Sequence, residues 1–306
     1  NILRALYEDK ADLLRTHSVD YVITFFKKIK NRFHSIKIID VRDETITVRK
    51  LDWLKEFSKR YKEEIGLRMK CLAEPATMSF GSVSDEKIRL LVEAGLTDII
   101  IGIQSGSDRL NKEVYNRFIT AKHVLECAKI LNKYKNKLRV MYDVISCNPY
   151  ETNEDIIATI RLLQKIPKPF FLSVNNLIFF EGTPLYKRAL EDGYIKTYND
   201  TASMLNYWDR WKHIKLKKKN PYLNLVLNMM RGSCTNKRYG LLPAWYVEHL
   251  TRKDVVEYHA ANEGPTYTVG ELVEVMDNTR EKIMKPVYRS MPVSFKVFYD
   301  KVRYKV

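Results

Sequence analysis

Between residues 18 and 195 this chain repeats one pattern: a short apolar run, a polar loop, then a stretch with helical spacing. The apolar runs fall at 35–41, 67–72, 98–103, 138–145 and 170–180. Helical spacing is read at 19–33, 51–65, 85–94, 121–134, 153–163 and 184–191. Strands alternating with helices imply parallel βαβ units with right-handed crossovers. A parallel sheet has both faces covered, so the chain folds as an open doubly wound sheet or as a barrel. The punctuation agrees. Ser18, Ser84, Thr120 and Thr152 precede helices as N-caps, and Asp155 completes a capping box with Thr152. Gly95 and Gly193 stop two of the helices.

The run at 98–103 is the most constrained of the five. Ile99, Ile100, Ile101, Gly102 and Ile103 read as a strand buried on both faces. It ends in Gln104, Ser105, Gly106 and Ser107, which offer hydrogen-bonding groups with little bulk. The other strand ends are also polar. Asp43, Glu44, Thr45 and Thr47 follow the first, Glu74 and Pro75 the second. Asp143 lies on the fourth, followed by Asn148, Pro149, Tyr150, Glu151 and Thr152. The fifth runs into Phe179, Phe180, Glu181, Gly182, Thr183 and Pro184. In parallel α/β folds the carboxyl ends of the strands carry the ligand site. Any one such loop is explained by helix capping; five together point to a site. No glycine-rich G-x-G-x-x-G follows the first strand, which weighs against dinucleotide binding.

Composition limits the alternatives. The 306 residues hold one large domain, or a domain with an appendage. No apolar run approaches the roughly 20 residues of a membrane span, and the charged, amphipathic start does not read as a signal peptide. Cys71, Cys127, Cys147 and Cys234 are dispersed, without a CxxC pair; this argues against a disulfide framework or zinc site and for a reducing, cytoplasmic location. The net charge of +16 raises nucleic acid as a partner. Lysines interspersed with acids on solvated helix faces explain most of it. The exceptions are concentrated runs at 210–219 and 282–305. After residue 196 the alternation stops. Trp208, Trp211 and Trp245 fall here, and 268–284 reads as one helix with Leu272, Val275 and Met276 on its apolar stripe. Two parts are therefore expected: 1–195, and a mostly helical region at 196–306.

The strand-end segments carry a family resemblance. Ile101 to Ser107, with Tyr115-Asn-Arg117 after it, resembles the fourth-strand motif of the radical-SAM superfamily. Tyr142 to Thr152 looks like its fifth-strand motif, and Leu177 to Tyr186 like its sixth. Asp43 to Thr47 resembles the element after its second strand. Within the superfamily the motifs look most like the subgroup with an upstream cobalamin-binding domain. The resemblance spans roughly residues 10–195. It implies a partial (β/α)6 TIM-like barrel that binds S-adenosylmethionine across the strand ends. It also implies a 4Fe–4S cluster that cleaves this ligand to a 5′-deoxyadenosyl radical, which abstracts a hydrogen atom from a small-molecule or other substrate. Cobalamin-dependent methyl transfer is the reaction the subgroup suggests. Residue by residue, Gln104 and Asp143 match ribose contacts, and Arg117 matches the partner of the methionine carboxylate, with Ser105 in the same region. Phe179, Phe180 and Gly182 fall where the sixth strand meets adenine.

The sequence departs from the family in three places. The C-x3-C-x2-C cluster motif is absent. Ser35 to Val41 matches the second strand, so the first strand and its cluster loop are expected to precede Asn1, in a longer protein of which this chain, inactive alone, is the C-terminal part. Cys147 stands where the subgroup more often has Asp or Gly. For the methionine ammonium only Glu74 is available. Two other readings stay open here. One is a cluster-free paralogue that keeps the barrel as a binding module, for RNA through its basic tail. The other is an ordinary TIM-barrel enzyme using Asp43, Glu44 and Asp143 as acid–base groups.

Overall fold

A computed structural model describes residues 16–43, 45–78, 82–195, 220–234 and 244–261. Its framework is a sheet of five strands: β1 (Ile38–Val41), β2 (Arg68–Ala73), β3 (Leu96–Gln104), β4 (Arg139–Ser146) and β5 (Phe171–Asn176). The strands lie side by side in chain order, and every neighbouring pair is parallel. A doubly wound sheet reverses its strand order at a switch point. None occurs among these five strands, and the sheet winds in one direction as a partial barrel does.

The helices are α1 (Val19–Arg32), α2 (Leu51–Arg60), α3 (Ser82–Ala94), α4 (Asp108–Glu113), α5 (Ala121–Asn132), α6 (Asn153–Lys165) and α7 (Pro184–Glu191). They are followed by α8 (Pro221–Cys234), α9 (Ala244–Leu250) and α10 (Lys253–Ala261). Local chemistry sets most starts. The hydroxyls of Ser18, Thr120 and Thr152 accept the first free N–H groups of α1, α5 and α6, and Thr152 with Asp155 forms the expected capping box. Thr120 and His123 form a second one.

The two sheet faces differ. Ile39, Met69, Cys71, Ala73, Ile99, Ile101, Ile103, Val140, Tyr142, Val144 and Leu172 share the buried face and join one core with the helices. Each large apolar side chain buried there contributes about 1.5–3 kcal/mol. Leu72, Gly102, Met141, Asp143, Ile145, Ser173 and Asn175 alternate with them on the opposite face and are only partly buried. That second face ends in the polar strand ends.

Several boundaries differ from expectation. The helix expected at 85–94 starts at Ser82, so Ser84 lies in its first turn and is not its cap. The strand expected at 170–180 stops at Asn176. Beyond it Leu177 and Phe179 turn away into a separate small core with Ala189 and Ile195. Of 196–306, three helices are described. Tyr222, Leu223, Val226, Leu227 and Met230 of α8 belong to the main core, with Val247 and Val256. The basic runs at 210–219 and 282–305, Trp208, Trp211 and the helix expected at 268–284 lie outside the described residues. No described helix is long and apolar enough to cross a membrane.

Candidate functional site

The site is built on a break in β3. The register of β3 against β4 pairs Gly102 with Asp143 and Gln104 with Val144, so Ile103 is an extra residue. A bulge of this kind re-aims the side chains beside it. Gln104 then takes a left-handed backbone, φ 59°. Its side chain folds back over Gly102: a Cβ on residue 102 would stand 2.6 Å from Gln104 Nε2 and 3.6 Å from Arg117 Nη1. Gly102 is thus required by the close approach of two other side chains. It is a site residue that the sequence motif contained without indicating its role.

Asp143 stands beside Gly102 on β4, with Ser173 next to it on β5. Gln104, Arg117 and Asp143 therefore gather around one position at the strand ends. Asp143 Oδ1 is buried and has no hydrogen-bond partner. Burial pushes its carboxyl above the usual range, against a hydrogen bond from Ser173 and the charges of Lys70 and Arg42. An unpartnered buried carboxylate oxygen is costly unless a ligand donates to it. Arg117 Nη2 lies 3.3 Å from Glu74 Oε1, which brings a cation and an acid from two loops to the same rim. Glu74 is held in turn by the loop after β1. Its N–H donates to Thr45 Oγ1, which meets Thr47 Oγ1 at 3.0 Å, and Thr47 meets Thr77 at 2.5 Å.

Ser105 does something other than face this opening. Its hydroxyl lies 3.1 Å from Thr159 Oγ1 of α6 and accepts from the Ser107 N–H, so its side chain points into the helix layer. Thr159 Oγ1 also accepts from the Gly106 N–H at 2.8 Å. Ser107 donates to Asp155, as does Arg109. Burial presses Asp155 upward, but its bonds from Arg109, Ser107 and Thr152 outweigh this and hold the carboxyl below the usual range.

The expected adenine-side residues are not brought into the same cluster. Phe179 is buried in the small core that Tyr115 and Ile145 also pack against. Phe180 is 48% exposed, and Gly182, at φ 80°, has open space where a Cβ would be. Of the acid–base trio, Asp43 is tied to Arg49 at 2.5 Å, and Glu44 lies outside the described residues. A groove of about 600 Å³ opens elsewhere, on the helix side between α6 and α10, with Ile157, Arg161 and Val256 in its wall. None of Gln104, Arg117 or Asp143 lines it.

The residues present were compared with the two groups that the motifs imply. For a nucleoside with an amino-acid tail they fit. A carboxylate oxygen without a partner, an amide laid over a glycine, and a cation beside an acid match hydroxyls, a carboxylate and an ammonium. For a 4Fe–4S cluster they do not. Cys71, Cys127 and Cys147 are buried singly, burial raises the Cys71 thiol to about 12 and pushes Cys127 up as well, and among the described residues no group of three His, Cys, Asp or Glu could hold a metal. Cys147 has φ 56°, in the left-handed region where Gly, Asn and Asp are more at ease.

Comparison with known proteins gives three findings. No curated protein matches the chain. Solved structures resemble it at low identity. The radical S-adenosylmethionine methyltransferase TsrM from Kitasatospora setae, with cobalamin and a [4Fe-4S] cluster bound, is 16% identical, with TM-score 0.46, over 58% of this chain and 32% of that one. Coproporphyrinogen III oxidase HemN from Escherichia coli, a radical SAM enzyme, is 13% identical, with TM-score 0.47, over 71% and 46%. Elp3 from the archaeon Methanocaldococcus infernus is 13% identical, with TM-score 0.43, over 72% and 50%. The chain thus spans about a third of the length of TsrM and about half of the other two. The family model is the more specific match: residues 50–163, which include β2 to β4 and the Gln104–Asp143 cradle, match the model of the Radical SAM superfamily.

Proposed function

We propose that this chain supplies the S-adenosylmethionine-binding rim of a radical-SAM enzyme. In this reading Gln104 and Asp143 hold the ribose hydroxyls, Arg117 pairs with the methionine carboxylate and Glu74 takes the ammonium. Ser105, whose hydroxyl, N–H and carbonyl are all engaged within the protein, and Phe180 and Gly182, which lie apart from the cluster, are given no ligand contact in this reading. Beside an iron–sulfur cluster held by other sequence, the ligand would supply the chemistry of hydrogen abstraction. The residues of this chain bind and orient it and keep water from it. The described cysteines offer no cluster site, so no electron-transfer step is assigned to them. The cluster ligands, and a cobalamin-binding domain of the kind the motifs suggest, belong in this proposal to sequence outside these 306 residues. The reaction is a cobalamin-dependent methyl transfer or a related modification.

One observation carries the reading. Asp143 Oδ1 is buried without a partner on the same face, and beside the same glycine, as the folded-back Gln104 amide. Oxygen acceptors and amide groups so placed suit a vicinal diol, which donates two hydrogen bonds. The test is calorimetric titration of the chain with S-adenosylhomocysteine, a stable ligand with the same nucleoside and tail. The expected result is saturable binding that Asp143→Ala and Gln104→Ala each weaken about tenfold or more, as the loss of a buried hydrogen bond does. Absence of binding, or binding that both variants leave unchanged, overturns it.

A further inference from the structure

Two of the ligand-facing groups of the rim, Gln104 and Arg117, come from separate segments, the end of β3 and the turn at 115–117, where the backbone departs from regular structure. Gln104 and Asn116 both have left-handed backbones, at φ 59° and 49°. Non-glycine residues hold this conformation only where their surroundings enforce it. One buried residue, which no family motif led us to expect, ties the two together: its side chain reaches the residue after Gln104 and Ile119, just beyond the turn, and its backbone holds Arg117. Asn111, on α4, is 1% exposed. Its Nδ2 donates to the Ser105 carbonyl at 2.9 Å and to the Ile119 carbonyl at 3.3 Å. Its own backbone carbonyl accepts from the Arg117 N–H at 2.8 Å. Both side-chain bonds end on carbonyls, so the amide orientation is fixed by its partners. Its Oδ1 is left buried without a partner. A side chain that tolerates this deficit must be kept for its donors.

The turn has a second, separate anchor. Tyr115 is largely buried, and its Oη accepts from Asn148 Nδ2 at 2.9 Å, which ties the turn to the loop after β4. This anchor touches the 115–117 turn and leaves the β3 end alone.

We propose that Asn111 is a positioning residue that locks the strand end at Gln104 and the Arg117 turn into one unit, whereas Tyr115 fixes the Arg117 turn only. Gln104, on the nucleoside half of the ligand, and Arg117, on the amino-acid half, then sit on two segments with one shared strut and one private strut. The inference rests on the S-adenosylmethionine reading for its ligand but not for its mechanics.

Hydrogen exchange of the full chain, without ligand, tests the mechanics. Asn111→Asp keeps the shape but turns both donors into acceptors. It is expected to speed exchange in two windows, 104–107 and 115–119, while the amides of β2 and β4 stay protected. Tyr115→Phe is expected to speed exchange at 115–119 alone. Should Asn111→Asp fail to fold, Asn111→Ser, neutral and too short to span both carbonyls, gives the same reading. Ligand binding then tests the split. S-adenosylhomocysteine carries the amino-acid tail, and 5′-methylthioadenosine lacks it. Asn111→Asp is expected to weaken both about tenfold or more, and Tyr115→Phe only the first. Uniform faster exchange in both variants, or no change at either window, overturns the inference. If the unmodified chain binds neither ligand but the exchange pattern holds, the positioning role stands and the S-adenosylmethionine reading falls.

Discussion

Arg117 and Glu74 face each other across the ends of β2 and β3, Nη2 to Oε1 at 3.3 Å, with each side chain about one-third exposed. In this position the pair contributes little to the fold. Partly exposed ion pairs are worth about 0–1 kcal/mol, because solvent screens them and side-chain entropy opposes them. Their complementarity suits a zwitterion better than it suits each other, since an α-carboxylate and an α-ammonium could each replace one member. The two charges therefore belong to recognition more than to stability.

This separates two measurements. Glu74→Gln and Arg117→Ala are expected to shift the thermal midpoint by no more than about 3 °C. Arg117→Ala is expected to raise the Kd of S-adenosylhomocysteine at least about tenfold and to leave that of 5′-methylthioadenosine within about twofold. Equal loss for both ligands in a calorimetric titration would remove Arg117 from the carboxylate position.

Glu151 gives a pH dependence of unusual sign. It is 2% exposed, and burial, then the charge of Asp155, raises its carboxyl to about 8, against one hydrogen bond from the Asn148 N–H. A carboxyl raised on folding binds its proton more tightly in the native state than in the unfolded chain. Stability from this group is therefore lost as pH rises from about 4.5 through about 8. Most paired carboxylates do the opposite. Glu151→Gln keeps the shape and removes the charge. It is expected to match the parent at pH 4.5 and to exceed it by roughly 4 kcal/mol at pH 8.5, in chemical denaturation across that range. A variant less stable than the parent at pH 8.5 would show Glu151 to be ionised and satisfied.

How far these features were legible in the sequence follows from which forces set them. Strand and helix identities were readable because buried runs such as Ile99 to Ile103 and caps such as Thr152 with Asp155 are local signals. The end of β5 was not. The apolar run continues past Asn176, but Leu177 and Phe179 leave the sheet for a second core whose existence depends on α7. Gln104, Arg117 and Asp143 could be singled out by type and position. That they meet over Gly102 depends on a bulge at Ile103, which no spacing announces. Ser105 was expected at the ligand, yet its hydroxyl turns to Thr159, 54 residues further along the chain. Asn111 carried no signal at all: it is a polar residue beside the buried Leu110 in a six-residue helix, and its partners are backbone atoms.

Cys147 tests backbone strain apart from chemistry. At φ 56° an L-residue pays about 1–2 kcal/mol, and a β-branched one more. Glycine removes that strain but loses the packing of a buried thiol and gains freedom in the unfolded chain. Cys147→Gly is therefore expected within about 1 kcal/mol of the parent, and Cys147→Val to lose about 2 kcal/mol or more. Denaturant midpoints of the two variants decide it. Equal stability would mean that the left-handed turn relaxes freely.

Two glycines of one motif, four residues apart, are predicted to fail in opposite ways. At Gly102 an added Cβ meets the far end of the flexible Gln104 side chain, at 2.6 Å. Gln104 can swing away, so Gly102→Ala should stay folded, with a thermal midpoint near that of the parent, and lose nucleoside binding. At Gly106 the same atom would stand 2.5 Å from Thr159 Cα and 2.7 Å from the Ala158 carbonyl oxygen, both backbone of α6. A helix backbone cannot swing away, so the β3 end must separate from α6 and break the bonds from Thr159 to Ser105 and Gly106. Gly106→Ala should cost about 3 kcal/mol or more, at the upper end of overpacking effects. Thermal unfolding with ligand titration separates the two outcomes. Gly102→Ala that binds as the parent does would show that the folded-back Gln104 is not the ligand-facing arrangement, and Gly106→Ala of parental stability would show that β3 does not press on α6 as closely as these distances require.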